Sequence, residues 1–199
     1  MEPTADDVDA LKELINIGVG RAAGMLHDIT GCVISLKVPS IQIVEFAQLS
    51  GGNGGEKDPV LSTVSLNFRG PMSGLTALIF PQESAAQLVM LMTRETEESG
   101  EMDAIRIETL KEVGNIIINA VMGSIANVLS QHLNYSLPTY QELGMNALAG
   151  SIHARVDDRL IIANAHFRIE DKPIDGNILL ILELGSMDAL LARIHALDH

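Results

Sequence analysis

Apolar residues recur along this chain with two alternating periods, and the order of those periods repeats. Thr4 or Asp6 can cap a first helix that runs to about Asp28. Val8, Leu11, Leu14, Ile15, Val19, Ala22, Met25 and Leu26 then fall on one broad face. Asp9, Glu13, Asn16 and Gly20, at i, i+4, i+7 and i+11, form a polar strip about 60° wide on the other side. Thr30-Gly31 stops the helix, and the period changes to two. Cys32, Ile34, Leu36 and Val38 face one way; Val33, Ser35 and Lys37 face the other. Pro39 breaks this strand or sits at its edge, and residues 41–46 continue extended. Gly51-Gly52-Asn53-Gly54-Gly55 reads as a plain loop, since no Gly-Lys-Ser/Thr follows to cradle a phosphate. Residues 60–68 and 72–80 read as a strand pair around Arg69-Gly70-Pro71. Residues 81–93 read as a helix with proline in its first turn.

The charged stretch 94–103 is the expected link to a second copy of this order. Asp103 can cap a helix to about Leu133, on which Glu108, Glu112, Asn115 and Asn119 form an equivalent strip. Leu110, Val113, Ile117, Val121, Ile125 and Val128 lie away from that strip. Residues 134–140 pass extended through Pro138, and 145–152 suggest a short helix. Residues 160–169 and 177–184 read as strands joined by a turn holding Pro173 and Asp175-Gly176, and 186–197 as a closing helix. The repeat is literal in places. Leu-Lys-Glu-x-x-Asn occurs at 11–16 and again at 110–115, with a proline at the same distance from each asparagine, Pro39 and Pro138. Phe68-Arg69 matches Phe167-Arg168, and Gly74 and Ser84 match Gly176 and Ser186 after a three-residue insertion. A period near one hundred residues is too long for a solenoid. The expectation is one domain over residues 1–199, α+β in class. Its two pseudosymmetric halves, approximately 4–93 and 103–197, share a sheet.

Composition narrows the partners. Basic residues number 13 and acidic 26, a net charge of −13. Such a surface lacks the Lys/Arg clusters that nucleic acid or an anionic membrane requires. No stretch reaches the ~18 apolar residues of a membrane span, and the acidic N-terminus has no apolar core of a signal peptide. The expectation is a soluble cytoplasmic protein. With no Trp and 3% aromatics, the core must be Leu, Ile, Val, Met and Ala, the nine methionines filling it. Tyr135 and Tyr140, flanking Pro138, read as packing residues. Cys32 is the only cysteine, so neither an internal disulfide nor a multi-cysteine metal site is available. His195 and His199 are spaced i, i+4 but sit at the terminus without a clear third ligand; no metal is expected.

The doubled strip is the candidate site. A carboxylate can pair with a cation, and an amide three residues on has two donors and an acceptor with which to fix a water. Neither is a nucleophile, and a neutral amide is no base near neutral pH. The chemistry that suits the strip is orientation of water against an electrophile carried by another molecule, and phosphoryl transfer fits because its catalysis is mostly positioning.

Asp9-x3-Glu13-x2-Asn16-x22-Pro39, echoed by Glu112-x2-Asn115-x22-Pro138, resembles the signature of the CheC/CheX/FliY family of chemotaxis phosphatases. Two motif copies are similar to CheC rather than CheX, and the extra flagellar-switch domain of FliY is not expected here. The resemblance implies an α+β fold with a mainly antiparallel sheet and two long motif helices. It also implies hydrolysis of the aspartyl phosphate of a CheY-type response regulator. Asn16 and Asn115 would orient the water, and Glu13 and Glu112 would contact the regulator. Asp9, Gly20, Glu108 and Asn119 would border the partner, while Pro39 and Pro138 would be structural. No cofactor is implied in this chain, the Mg²⁺ belonging to the regulator. The receptor deamidase CheD is a further partner of CheC-type proteins. Glu108, one methylene longer than Asp9, departs from the usual first position. Two other classes fit the same residues: a non-catalytic adaptor that docks a regulator or the deamidase, and a structural dimerisation unit.

Overall fold

The computed structural model describes residues 3–45, 59–94, 103–130, 132–144, 147, 159–182 and 186–196. Helix α1 (Ala5–Thr30) starts where the sequence asks. Thr4 and Asp7 form a reciprocal capping box, and Gly31 ends the helix in the left-handed conformation, φ 69°. Strand β1 (Ile34–Glu45) follows. Strands β2 (Leu61–Arg69) and β3 (Gly74–Pro81) form a hairpin that leads into α2 (Gln82–Thr93). The second half begins with α3 (Ala104–Leu129), capped by the Asp103 carboxylate. Two short strands, β4 (Asn134–Tyr135) and β5 (Thr139–Leu143), precede the hairpin β6 (Arg159–Ile169) and β7 (Lys172–Leu182), and α4 (Ser186–His195) closes the order.

The seven strands make one sheet, antiparallel at every pairing, in the order β1-β6-β7-β3-β2-β4, with β5 also on β2. Exchanging the halves reverses this order and leaves it otherwise unchanged, so a pseudo-twofold passes between β7 and β3. Each half lends its outer strand to the other: β1 pairs with β6, while β4 and β5 pair with β2. The fold is therefore α+β, with the two long helices α1 and α3 in contact across the same axis. Their close approach is set at Gly18, where an added Cβ would stand 2.5 Å from the Val121 Cα.

The principal core lies between helices and sheet. It joins Leu11, Ile15 and Val19 of α1, Leu110, Ile117 and Val121 of α3, and Val64, Leu66, Leu78, Phe80, Ile178 and Leu180 of the sheet. Ala77, Ile79, Leu160, Leu179 and Ile181 form a smaller buried cluster on the opposite face. Burial on both faces explains why β3 and β7 are nearly continuous apolar runs rather than alternating ones.

Several sequence expectations need adjustment. Met25 is half exposed rather than buried. Helix α3 stops at Leu129 rather than near Leu133, because Ser130 turns left-handed with φ 52°. The turn between β6 and β7 is Glu170-Asp171, with φ 50° and 66°, the conformation of a two-residue hairpin turn. Pro173 and Asp175-Gly176 lie within β7 instead. Pro173 is tolerated there because β3 joins β7 only from Asn177 onward, so no ladder bond on that side is lost. The helix expected over 145–152, apart from the single residue 147, and the link at 95–102 lie outside the described residues. No described helix is long and apolar enough to cross a membrane.

Candidate functional site

Both motif prolines sit at the same irregularity. On β1, Lys37 faces His166 and Ser40 faces Asn164, so Val38 and Pro39 together oppose the single residue Ala165. On the other side of the molecule, Tyr135 faces Phe68 and Thr139 faces Ser65. Three residues there, Ser136, Leu137 and Pro138, oppose two, again one extra. A bulge is where a strand accepts proline, since the ladder is already interrupted. It also leaves backbone groups in need of other partners.

At the first bulge the partner is Asn16. Its Oδ1 accepts from the Val38 N–H at 2.8 Å, and its Nδ2 donates to the Val38 carbonyl at 2.9 Å and to the Lys12 carbonyl at 3.0 Å. Both amide hydrogens are thereby used. The separation of Asn and Pro along the chain has a structural meaning here: it brings the amide of α1 onto the bulge of β1. The sequence places Glu13 and Asn16 outward together; Glu13 is exposed, but the Asn16 amide turns inward to β1.

At the second bulge that contact is missing. Asn115 accepts at Oδ1 from Asn119 Nδ2, 2.8 Å away along its own helix, and its Nδ2 has no partner among the described residues. Leu137, the counterpart of Val38, is 85% exposed, whereas Val38 is 2% exposed. Ser136 serves the second bulge instead: its N–H donates to the Asn67 carbonyl at 2.9 Å, and its Oγ accepts from the Asn67 N–H at 3.0 Å. Gly20 occupies the position of Asn119 in the first copy and has no side chain to offer Asn16. An added Cβ at Gly20 would meet nothing within 4 Å, so packing does not require glycine there.

The first acidic residue of each strip holds the strip's lysine, Asp9 with Lys12 at 3.1 Å and Glu108 with Lys111 at 2.8 Å. Glu13 and Glu112 are exposed and have no ion pair among the described residues. Glu112 also borders a cleft of about 420 Å³ between the ends of α1 and α2 and the flank of α3, with Leu26, Met92, Arg94, Val113 and Ile116 in its walls. The Arg94 guanidinium donates to the Thr30 carbonyl at 3.1 Å, at the C-terminus of α1, where a cation suits the helix dipole.

Next to the second copy lies a polar group that the sequence reading took for packing alone. The Tyr140 hydroxyl donates to the Glu142 carboxylate at 2.7 Å and lies 3.1 Å from the Ser62 hydroxyl, and Gln82 donates to the other Glu142 oxygen at 3.3 Å. Burial, with the Glu142 carboxylate beside it, pushes the Tyr140 hydroxyl up to about 12, the Ser62 hydrogen bond acting in the opposite sense. Tyr140 faces Val64 across the sheet, and Val64 lies under Gly114, the residue before Asn115. The counterparts in the first half, Ile41, Ile43 and Ile161, are all apolar. Only the comparison of 41 and 43 with 140 and 142 could have signalled this from the sequence.

His195 does not stand free as half of a metal pair. Its Nε2 contacts the carboxylate of Asp7, which is 1% exposed at the start of α1; His199 lies outside the described residues. Burial would raise the Asp7 carboxyl, but hydrogen bonds from the Thr4 backbone and hydroxyl, with the His195 contact, outweigh it and hold the group below its ordinary value of 3.8.

Comparison with known proteins agrees with this architecture. Residues 8–43, which span most of α1, most of β1 and the Asn16–Val38 contact, match the model of the CheC-like family. The chain is 28% identical over 137 residues to the CheY-P phosphatase CheC of Bacillus subtilis, an alignment covering 67% of this chain and 65% of that protein, just under two thirds of its length. The crystal structure of Thermotoga maritima FliY superposes with a TM-score of 0.80 at 19% identity, covering 98% of this chain and 99% of that one. The FliM middle domain from H. pylori superposes with a TM-score of 0.65 at 9% identity, covering 96% and 99%. At such identities these two structures speak for the fold alone.

Proposed function

We propose that this chain, which matches the CheC-like family over residues 8–43, is a phosphatase acting on the aspartyl phosphate of a CheY-type response regulator. The observation that carries the reading is the second strip. Glu112 and Asn115 stand one helical turn apart on α3, the carboxylate unpaired and the amide with both N–H donors unused among the described residues. Nothing on the strip is a nucleophile, so the attacking group is water. Its oxygen bonds to phosphorus as the acyl P–O bond breaks, the regulator's aspartate leaves as a carboxylate, and inorganic phosphate is released.

The Asn115 amide, inserted beside the phosphoryl group, fixes that water at its remaining oxygen lone pair and donates to a phosphoryl oxygen. Asn119, by holding one lone pair of Oδ1, sets the plane of the amide. Glu112 and Glu13 pair with a cation of the regulator, a lysine beside its phosphorylation site, and so align the two molecules. Glu108 and Asp9 border the same surface and keep Lys111 and Lys12 from competing for those carboxylates.

The test is the decay of a phosphorylated CheY-type regulator with and without the protein at substoichiometric amounts. Accelerated decay through many turnovers, lost on Glu112→Ala and Asn115→Ala, supports the proposal. Tight binding of the phosphorylated regulator without turnover would make the protein an adaptor instead. If charge reversal at Glu13 and Glu112 changes the elution volume in gel filtration and leaves regulator contact intact, the strip serves self-association.

A further inference from the structure

The two copies of the motif share residues, spacing and bulge, yet their amides have different partners. We infer that the copies have parted in role: Asn16 is a latch that closes the β1 bulge, and hydrolysis falls to the Asn115 copy. The assignment of hydrolysis rests on the phosphatase reading; the latch does not.

The argument is one of accounting for polar groups. The bulge at Val38-Pro39 removes ladder partners from a residue that is 2% exposed, so water cannot replace them. Asn16 supplies an acceptor to the Val38 N–H and a donor to its carbonyl, and its remaining hydrogen goes to Lys12. For Asn16 to reach a phosphoryl group it must abandon all three bonds and leave Val38 unsatisfied inside the protein. Asn115 faces no such cost. Its second-copy counterpart of Val38, Leu137, is exposed to solvent, and its one side-chain bond among the described residues runs along its own helix to Asn119. A regulator that approached both strips with equal affinity would find one amide free and the other engaged.

Native-state hydrogen exchange at Val38, thermal unfolding and regulator dephosphorylation, measured on the same variants, separate the two roles. In the wild type the Val38 amide is expected to be protected and the Leu137 amide to exchange freely. Asn16→Ala is expected to raise Val38 exchange at least about tenfold and to lower the Tm by about 5 °C. At a temperature where it is folded, it keeps kcat within about threefold of wild type. Asn115→Ala is expected to leave the Tm and Val38 exchange unchanged and to lower kcat about 100-fold. Should Asn16→Ala fold poorly, Asn16→Asp retains an acceptor for the Val38 N–H and is expected to keep that amide partly protected.

The inference is overturned if Asn16→Ala loses as much activity as Asn115→Ala while Val38 stays protected, or if Asn115→Ala keeps half of the activity. An inactive wild type would sink the phosphatase reading, and the latch would still stand or fall on Val38 exchange alone.

Discussion

The outer strands of the two halves began as the same design and ended differently. β1 is twelve residues long, runs through its bulge without a break, and buries Val38 under α1. Its counterpart is split into β4, of two residues, and β5, of five, with Leu137 standing in solvent between them. Register against the neighbouring hairpin is the same on both sides, as is the position of the proline. What differs is the partner of one helix amide, and with it the chemistry of the surroundings: isoleucines on one side, a tyrosine, a glutamate and a serine on the other. A repeat can preserve geometry to the residue and still give one side chain different partners, and because a side-chain amide has few hydrogen bonds, each one spent on the backbone is unavailable to a ligand.

The largest effect that would break this contrast is on activity. Asn16→Ala combined with Asn115→Ala is expected to reduce dephosphorylation of the regulator by about 100-fold or more, on the order of 2.7 kcal/mol in the barrier. Because the copies are unequal, the double variant should be scarcely slower than Asn115→Ala alone. Equal copies would show two comparable steps on going from wild type to single to double variant.

The next effect is on packing. Gly114 rides on Val64, and an added Cβ would stand 2.6 Å from a Val64 methyl. The corresponding residues of the first half are Ile15 and Ala163, large on the helix and small on the strand, the reverse order. Gly114→Ala is therefore expected to cost about 2 kcal/mol. Val64→Ala in the same chain should recover part of that loss, giving a coupling of about 1 kcal/mol in a denaturation cycle. Additive losses would mean that α3 shifts away from β2 instead of clashing with it.

Much of this was legible from spacing. The capping box at Thr4, the change of period at Gly31, the hairpin around Gly70 and the offset of the repeat all come from local rules of capping, alternation and turn chemistry. They predict the elements to within a few residues and the two-half plan. The bulges were not legible, because a proline between two extended stretches reads equally as a break, an edge or an extra residue. Only the pairing across to β6 and β2 decides among them. The destination of the Asn16 amide was hidden for the same reason. Helical periodicity places Asn16 on the strip beside Glu13, but a side chain at the border of a strip can turn toward whichever unsatisfied group lies nearer, and Val38 is brought there by the fold. Pro173 and Asp175-Gly176 misled in the opposite direction, carrying the composition of a turn into a strand that β3 joins only from Asn177 onward.

A smaller effect tests the two ends of the repeat. Asp7 begins α1 as a buried acid, whereas its counterpart in α3 is Arg106, also buried. The folded state holds the Asp7 carboxyl below 3.8, so its charge favours folding. That contribution is complete above about pH 4 and is lost as the pH falls through the lowered folded value. Asp7→Asn is expected to lose about 1 kcal/mol at neutral pH, in the range for a damaged cap. As the pH falls below the lowered folded value, its stability should converge on that of the wild type. A constant difference down to pH 2 would attribute the loss to packing rather than to the ionised carboxylate.

The smallest expected effect bears most directly on why the copies differ. Gly20→Asn gives the first strip the residue that accompanies Asn115 in the second, at a site where a side chain meets nothing within 4 Å. The change alters helix propensity by no more than about 0.5 kcal/mol, so the Tm should stay within about 2 °C of wild type. The introduced amide would compete with Val38 for the Asn16 side chain, as Asn119 holds that of Asn115 at 2.8 Å. Buried backbone groups lose more by going unsatisfied than exposed side chains gain by pairing. Val38 should therefore keep most of its protection, its amide exchanging only about two- to threefold faster. Exchange as fast as at Leu137 would show that the residue one turn along the helix chooses between latch and site, while no change at all would place that choice in the bulge.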